Sequence, residues 1–374
     1  MKILMDGRAL GTKPSGIGIY IYTLLKAIMP NKDYAVSIVT DVCVSDQMKE
    51  LQKAGAVIYE YGQPVSKNTA LLGYYRFVQE CIHSVRPDVF WEGNTMIPVR
   101  TENPYGVMIA TIHDMFPLSD PEHFGKVYPH YFRFGIQQSM KYFDAFVFNS
   151  VDTQEQTFRY FPKMRAIPHF VGYIVVPRLP ELPVTDNDSF LYIGNMETRK
   201  GTDILLEAYR IYRERGGQKG LRLAGKIRED GILKQLEELQ KTTEGIQYLG
   251  YISEEEKAAE YAACSCFVFP SRAEGFGIPI VEVMNYNKPV IAGDLETLRE
   301  IVGSAVTYTP VHTSYWEAAV RLAEKMLEEI PERDPAEAQA VVDRYSEETI
   351  AKGYCVFLDR CVKKDYERKY KEGD

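Results

Sequence analysis

A chain of 374 residues is too long for one ordinary domain and fits two of typical size. Its 45% hydrophobic and 26% charged residues supply an ample core, and a formal net charge of −8 with no continuous basic run argues against general nucleic-acid binding. Cys43, Cys81, Cys264, Cys266, Cys355 and Cys361 form no C-x-x-C pair or metal-ligand spacing, no stretch approaches a membrane span, and Met1–Asp6 is too short an apolar run for a signal peptide, so the expectation is a cytoplasmic chain.

The first predicted element is a strand, Lys2–Met5, followed by a polar loop punctuated by Gly11, Gly16 and Gly18 and then a helix over Ile19–Ile28. The glycine spacing is not the G-x-G-x-x-G fingerprint, since position 21 is Ile, nor a phosphate loop, which requires Gly-Lys-Ser/Thr. Strands follow at Tyr34–Val39, Gly55–Tyr59 and Pro87–Trp91, with a helix at Leu71–Val85. Val107–Ile112 is nearly continuous in Val, Ile and Ala and ends in His113-Asp114. Long apolar strands alternating with helices predict a parallel sheet covered on both faces. His113 then stands at a strand's carboxyl end, where open α/β sheets bind ligands. A packing or capping role fits a lone histidine equally, and Asp114 either holds the imidazole or caps the next turn. Asp120 to Met164 is dense in aromatic and basic residues, which reads as buried rings under a solvated surface or as an acceptor- or membrane-facing surface. Asp144–Asn149 is a further strand, and Ser150 with Thr153 marks a helix start.

Ile167 to Asp188 carries Pro168, Pro177, Pro180 and Pro183 and reads as an interdomain linker. A second series opens with a strand at Phe190–Ile193, ending in Gly194-Asn195-Met196-Glu197-Thr198-Arg199-Lys200-Gly201. Thr202 is expected to cap the next helix, with Asp203 in its first turn. Arg199 and Lys200 therefore precede a helix N-terminus at the mouth of a sheet, a cationic site suited to a diphosphate. Strands are predicted at Leu221–Ala224, before Gly225, and at Ile246–Leu249, before Gly250-Tyr251; Ser253 and Glu256 form a capping box. The strand Cys266–Phe269 is closed by Pro270 and followed by a loop with Glu274, Gly275, Phe276 and Gly277. Pro279 suits a helix's first turn, and Glu282 lies on that helix. Taken by themselves, the two can be a loop glutamate solvated at the surface and a helix glutamate on an exposed face.

Glu274-Gly275-Phe276-Gly277-Ile278-Pro279-Ile280-Val281-Glu282 resembles the E-x7-E motif of the GT-4 family of retaining, nucleotide-sugar-dependent glycosyltransferases. Arg199-Lys200-Gly201 resembles that family's donor-phosphate loop, and Ser15-Gly16-Ile17-Gly18 its N-terminal glycine loop. His113-Asp114-Met115-Phe116-Pro117-Leu118 resembles the I-H-D-x-x-P-L segment of a subgroup that includes bacterial polysaccharide mannosyltransferases. The resemblance implies an α/β chain of GT-B fold, two facing Rossmann-like domains with parallel sheets and an interdomain cleft. Residues 1–172 would form the acceptor-side domain, joined by a C-terminal helix over 344–374, and residues 173–343 the donor-binding domain. The implied function is retaining transfer of a hexose, with mannose favoured, from a nucleotide diphosphate sugar to a glycan or lipid-linked saccharide acceptor in cell-surface polysaccharide synthesis. The implied mechanism is front-face, the leaving phosphate helping to deprotonate the acceptor.

By the same resemblance His113, Arg199, Lys200 and Glu274 are the catalytic residues. Gly16, Gly18, Asn195, Gly225, Tyr251, Gly275, Phe276, Gly277 and Glu282 are the donor-binding residues. No cofactor, metal or nucleic acid is expected, and residues 123–165 are the expected face for peripheral contact with the inner side of the membrane. Many members carry Arg directly after the first glycine of the phosphate loop; here it is Asn195, and the mannosyltransferase-like subgroup also lacks that arginine. Two further functions stay open: a non-catalytic GT-B partner of another transferase, and a glycosidase using Glu274 and Glu282 as its carboxylate pair.

Overall fold

Strands that read as unbroken apolar runs have no face to give to water and must be covered by helices on both sides. In the computed structural model, which describes residues 1–12, 16–65, 71–95, 100–328 and 334–371, such strands form the centres of two wholly parallel sheets. The chain divides into two compact units, Met1–Val175 with Tyr345–Asp374, and Val176–Arg344.

The first unit carries β1 (Lys2–Asp6), β2 (Ala35–Thr40), β3 (Val57–Glu60), β4 (Val89–Glu92), β5 (Val107–Ile112), β6 (Ala145–Phe148) and β7 (His169–Val171). Their order is β3-β2-β1-β4-β5-β6-β7, and every residue of β4, β5 and β6 is buried. The order reverses direction between β1 and β4, the topological switch point at which such sheets open a crevice. There Asp6 and Glu92 stand opposite each other in register. The helix Leu71–Val85 and the strand Val107–Ile112 have the expected bounds.

Three local features differ from the sequence reading. The first helix begins at Gly16, so Gly16 and Gly18 belong to its first turn rather than to a loop, and a Cβ at Gly16 would meet nothing within 4 Å. Pro14 and Ser15 lie outside the described residues. β7 falls inside the span read as a linker. The third difference is at Thr202, in the second unit below. The C-terminal helix, Glu347–Lys371, packs into the first unit through the fully buried Tyr354. Its hydroxyl donates to the Gly172 carbonyl at 2.7 Å and meets the Tyr20 hydroxyl at 3.1 Å.

The second unit carries β8 (Ser189–Ile193), β9 (Gly220–Ala224), β10 (Ile246–Gly250), β11 (Cys266–Phe269), β12 (Val290–Gly293) and β13 (Thr307–Thr309), in the order β10-β9-β8-β11-β12-β13. Its switch point lies between β8 and β11. The capping box of Ser253 and Glu256 is present on the helix Glu254–Ala263. The helix after β8, Thr202–Glu214, is capped by Gly201 rather than by Thr202. Gly201 is left-handed (φ 68°), and a Cβ there would lie 1.9 Å from the Pro270 carbonyl oxygen, so only glycine lets the two loops approach so closely. Thr202 is turned inward, its Oγ1 3.3 Å from the Tyr192 hydroxyl. No helix among the described residues is long and apolar enough to cross a membrane.

Candidate functional site

The loops leaving β8 and β11 meet over the switch point of the second sheet, and they bring together residues far apart in sequence. Thr198–Lys200 forms one 3-10 turn that leads through Gly201 into the helix Thr202–Glu214, so Arg199 and Lys200 stand beside that helix's positive end. Lys200 Nζ lies 2.7 Å from each carboxylate oxygen of Glu274, and both side chains are largely shielded from water. The Arg199 guanidinium donates to the Glu197 carboxylate and, at 3.0 Å, to the Ala273 carbonyl. Arg272, to which the sequence reading gave no role, grips Asp203 with two nitrogens, at 2.6 and 2.8 Å, and donates to the Thr198 carbonyl. The Arg272 N–H donates in turn to the Arg199 carbonyl at 2.9 Å. Two cation–carboxylate pairs, Lys200–Glu274 and Arg272–Asp203, and the Arg199–Ala273 hydrogen bond therefore interlock the two loops at one helix N-terminus.

Gly275, Phe276 and Gly277 continue from Glu274. Phe276 is buried, so its ring is part of the core, and Gly277 is left-handed (φ 92°) and caps the short helix Ile278–Val283, with Pro279 in its first turn. Glu282, on that helix, is held from the helix Glu254–Ala263: Lys257 Nζ is 2.7 Å from Oε1 and the Tyr261 hydroxyl donates to Oε2 at 2.9 Å. Burial works against the Lys257 charge, but Glu282 and Glu254 outweigh it and hold its pKa above the ordinary lysine value. Burial, then the charge of Glu282, push the Tyr261 phenol well up, which keeps it a donor. Lys257 and Tyr261 were missed in the sequence. Their i, i+4 spacing places them on one helix face, but nothing local says what that face meets.

Gly194 and Gly225 stand side by side at the ends of β8 and β9. A Cβ on Gly225 (φ 129°) would lie 1.9 Å from the Gly194 carbonyl oxygen, and the Gly225 N–H donates to Gly250 at 2.7 Å. Asn195 is exposed and accepts from the Tyr192 hydroxyl through its backbone oxygen at 2.8 Å. Tyr251 is 77% exposed, with Lys226 Nζ 5.3 Å from its ring centroid. Among the described residues no group of three or more His, Cys, Asp or Glu side chains converges as a metal-ligand set would.

In the first unit His113 follows β5 as expected and is buried. Its Nε2 lies 2.8 Å from the Gly93 carbonyl oxygen, which only accepts, so Nε2 carries the proton. Burial lowers the imidazole pKa to about 4, leaving it neutral with a lone pair on Nδ1 near pH 7. Asp114 caps the next turn, accepting from the Phe116 N–H at 3.1 Å. At the switch point of this sheet Asp6 and Glu92 are fully buried, a feature the sequence reading did not single out. Asp6 Oδ1 accepts from the Tyr74 hydroxyl at 2.9 Å and Glu92 Oε1 from the Asn94 N–H at 2.7 Å. Asp6 Oδ2 and Glu92 Oε2 meet no hydrogen-bond partner among the described residues. Burial, then the neighbouring Asp6 charge, push the Glu92 carboxyl well above its usual range.

Residues 180–341 match the family model described as glycosyl transferases group 1. The chain is 28% identical over 330 residues to O-antigen chain mannosyltransferase B of Escherichia coli, covering 82% of this chain and 85% of that protein. A shorter match, 32% identical over 82 residues (22% of this chain and 23% of the relative), joins it to O-antigen chain mannosyltransferase RfbU of Salmonella typhimurium. Among solved structures, Anabaena HepE, crystallised with UDP and glucose, superposes with a TM-score of 0.71 at 18% identity, over 96% of this chain and all of that one. Staphylococcus aureus TarM superposes with a TM-score of 0.73 at 12% identity, over 96% and 99% of the two chains. The loops of the second sheet, the fold and the relatives agree: residues 180–341 match the group 1 glycosyltransferases, the chain as a whole is similar to an O-antigen mannosyltransferase, and its two parallel sheets have the GT-B fold.

Proposed function

We propose that this glycosyltransferase moves a hexose, mannose in the first instance, from a nucleoside diphosphate sugar to a glycan or lipid-linked saccharide acceptor, with retention, in the synthesis of a cell-surface polysaccharide. The observation that carries the reading is the Lys200–Glu274 pair beside the N-terminus of the helix Thr202–Glu214. A departing diphosphate gains negative charge as the glycosidic bond breaks. Arg199, Lys200 and the helix dipole oppose that charge from fixed positions, and preorganised charge of this kind needs no covalent intermediate. Glu274 approaches the donor sugar, and Glu282 holds the ribose. Gly194 and Gly225 keep the strand ends free of side chains where a nucleotide would lie. Asn195, Gly225 and Tyr251 belong to the loops that receive donor and base, and Gly275, Phe276 and Gly277 offer backbone groups. His113 and the helix start at Gly16 and Gly18 are the residues of the first unit assigned to the same transfer. Neutral at ordinary pH, His113 accepts a hydrogen bond from a sugar hydroxyl through Nδ1 rather than protonating the leaving group. Acid–base work by Glu274 and Glu282 in hydrolysis is disfavoured, since each carboxylate is already engaged by a lysine, Lys200 and Lys257 respectively, rather than standing as a free facing pair.

The polysaccharide reading is supported by the names of the Escherichia coli and Salmonella relatives, and the nucleotide reading by the UDP in HepE. A face for lipid-linked acceptors lies along the helix Tyr128–Tyr142. Val127, Tyr131 and Phe134 are exposed along one line, beside Lys126, His130 and Arg133 along another, the pattern of an interfacial helix. A cavity of about 540 Å³ opens among Lys126, His130, Arg133, Glu122, Pro117 and Leu118. The test is release of nucleotide from UDP-, GDP-, ADP- and dTDP-sugars with and without saccharide acceptor. Release that requires acceptor supports the reading; acceptor-independent release would mark a hydrolase, and no release with any donor a non-catalytic partner. Sedimentation with phosphatidylglycerol but not phosphatidylcholine vesicles, weakened in Phe134→Ser, tests the membrane face.

A further inference from the structure

Glu282 carries the ribose in the reading above, yet two of its bonding positions are already taken. A carboxylate has about four lone-pair sites. Lys257 fills one on Oε1 at 2.7 Å, and the Tyr261 hydroxyl fills one on Oε2 at 2.9 Å. One site on each oxygen remains, the number and spacing that a vicinal pair of hydroxyls requires. The two donors come from successive turns of the helix Glu254–Ala263 and approach the carboxylate from that helix's side. Tyr261 is fully buried and Lys257 keeps 15% of its side chain exposed, while Glu282 keeps 12%. The carboxylate is thus fixed from behind and open on a narrow front. Lys257 is itself braced by Glu254, 2.7 Å away on the same helix, so the ammonium is held even without nucleotide.

We propose that Lys257 and Tyr261 are positioning residues for the donor nucleotide, which orient the Glu282 carboxylate so that its two remaining lone-pair sites select a ribose cis-diol over a deoxyribose. The inference rests on Glu282 as the ribose contact. A carboxylate free to rotate still attracts a hydroxyl, but it does not present two acceptors at fixed spacing, so the loss falls on discrimination rather than on general affinity. Tyr261→Phe removes one hydroxyl from a buried ring and leaves the packing intact. Lys257→Gln removes the charge but keeps a donor of shorter reach, and Lys257→Arg restores the charge.

The measurement is calorimetric affinity of the full chain for UDP, GDP and ADP. The one bound most tightly is then compared with its 2′-deoxy and 3′-deoxy forms. In the wild type, losing a hydroxyl that bonds a charged carboxylate lowers affinity by about 10- to 100-fold. In Tyr261→Phe and Lys257→Gln the ratio of ribo to deoxy affinity falls to about threefold or less, with deoxy affinity little changed, and Lys257→Arg recovers part of it. Variants that weaken ribo and deoxy forms equally, at an unchanged ratio, would overturn the positioning role while leaving Glu282 as the ribose contact. A wild type that does not discriminate would overturn both. Circular dichroism on each variant separates misfolding from either result.

Discussion

Lys200 and Glu274, 74 positions apart in sequence, form a two-pronged ion pair, the ammonium 2.7 Å from both carboxylate oxygens. The pair joins the loops after β8 and β11, and in the function proposed above it sets the charge that an arriving diphosphate meets. An ammonium has three donors, so Lys200 can reach a phosphate without releasing Glu274.

Replacing Lys200 or Arg199 by Ala is expected to lower turnover more than it weakens donor binding, because the charge these residues oppose grows as the bond breaks. Steady-state kinetics with separately measured donor affinity checks this; a rise in KM alone would mean uniform binding. Arg199→Lys tests geometry, since a point charge does not reproduce the fork that spans the Glu197 carboxylate and the Ala273 carbonyl.

Glu282→Gln is expected to weaken free nucleotide and nucleotide sugar together, by about 1.5–3 kcal/mol for bonds to a charged group. Titration of nucleotide into the folded variant measures it. Unchanged affinity would remove the ribose role.

Gly201→Ala is expected to cost about 1–3 kcal/mol of stability, because its Cβ would strike the Pro270 carbonyl and its backbone is left-handed. Relief of that clash moves the Thr198–Lys200 turn away from the Glu274 loop, so urea melts and turnover should fall together. A variant as stable and active as wild type would mean the two loops are not held at this distance.

Stability against pH should carry the mark of Glu92. Its pKa is raised in the native state, so above the ordinary glutamate value of 4.5 the native state binds more protons than the unfolded chain and stability falls as pH rises. Glu92→Gln cannot ionise, so its stability relative to wild type should climb with pH across that window. His113 acts in the opposite sense, losing stability as pH falls from 6.5 toward about 4, but both proteins share it. Urea denaturation at pH 5 and pH 8 measures the difference; a variant equally destabilised at both would contradict an ionisation cost at Glu92.

The sequence made the central strands and their ends legible. Val107–Ile112 and Cys266–Phe269 are apolar runs that read as buried strands; His113 follows the first directly, and Arg199, Lys200 and Glu274 lie on the loops that leave Ser189–Ile193 and Cys266–Phe269. Gly16 and Gly18 were read as loop because glycine is a poor helix former, yet the helix packs from its first turn. β7 is three residues long beside Pro168, too short for periodicity to reveal. Pairing was the part sequence could not carry. Arg272 is 69 positions from Asp203, and Lys257 25 from Glu282, distances at which only the completed fold decides who meets whom.

The most direct test of the account is the fate of the sugar itself. Wild-type protein, an anomerically defined α-linked nucleotide sugar, with GDP-mannose first in the panel, and a saccharide acceptor would be followed by NMR of the product's anomeric proton. The account predicts acceptor-dependent formation of an α-linked product with one nucleotide released per linkage, lost in Lys200→Ala with the fold intact. A β-linked product, or free sugar formed at the same rate without acceptor, would contradict it.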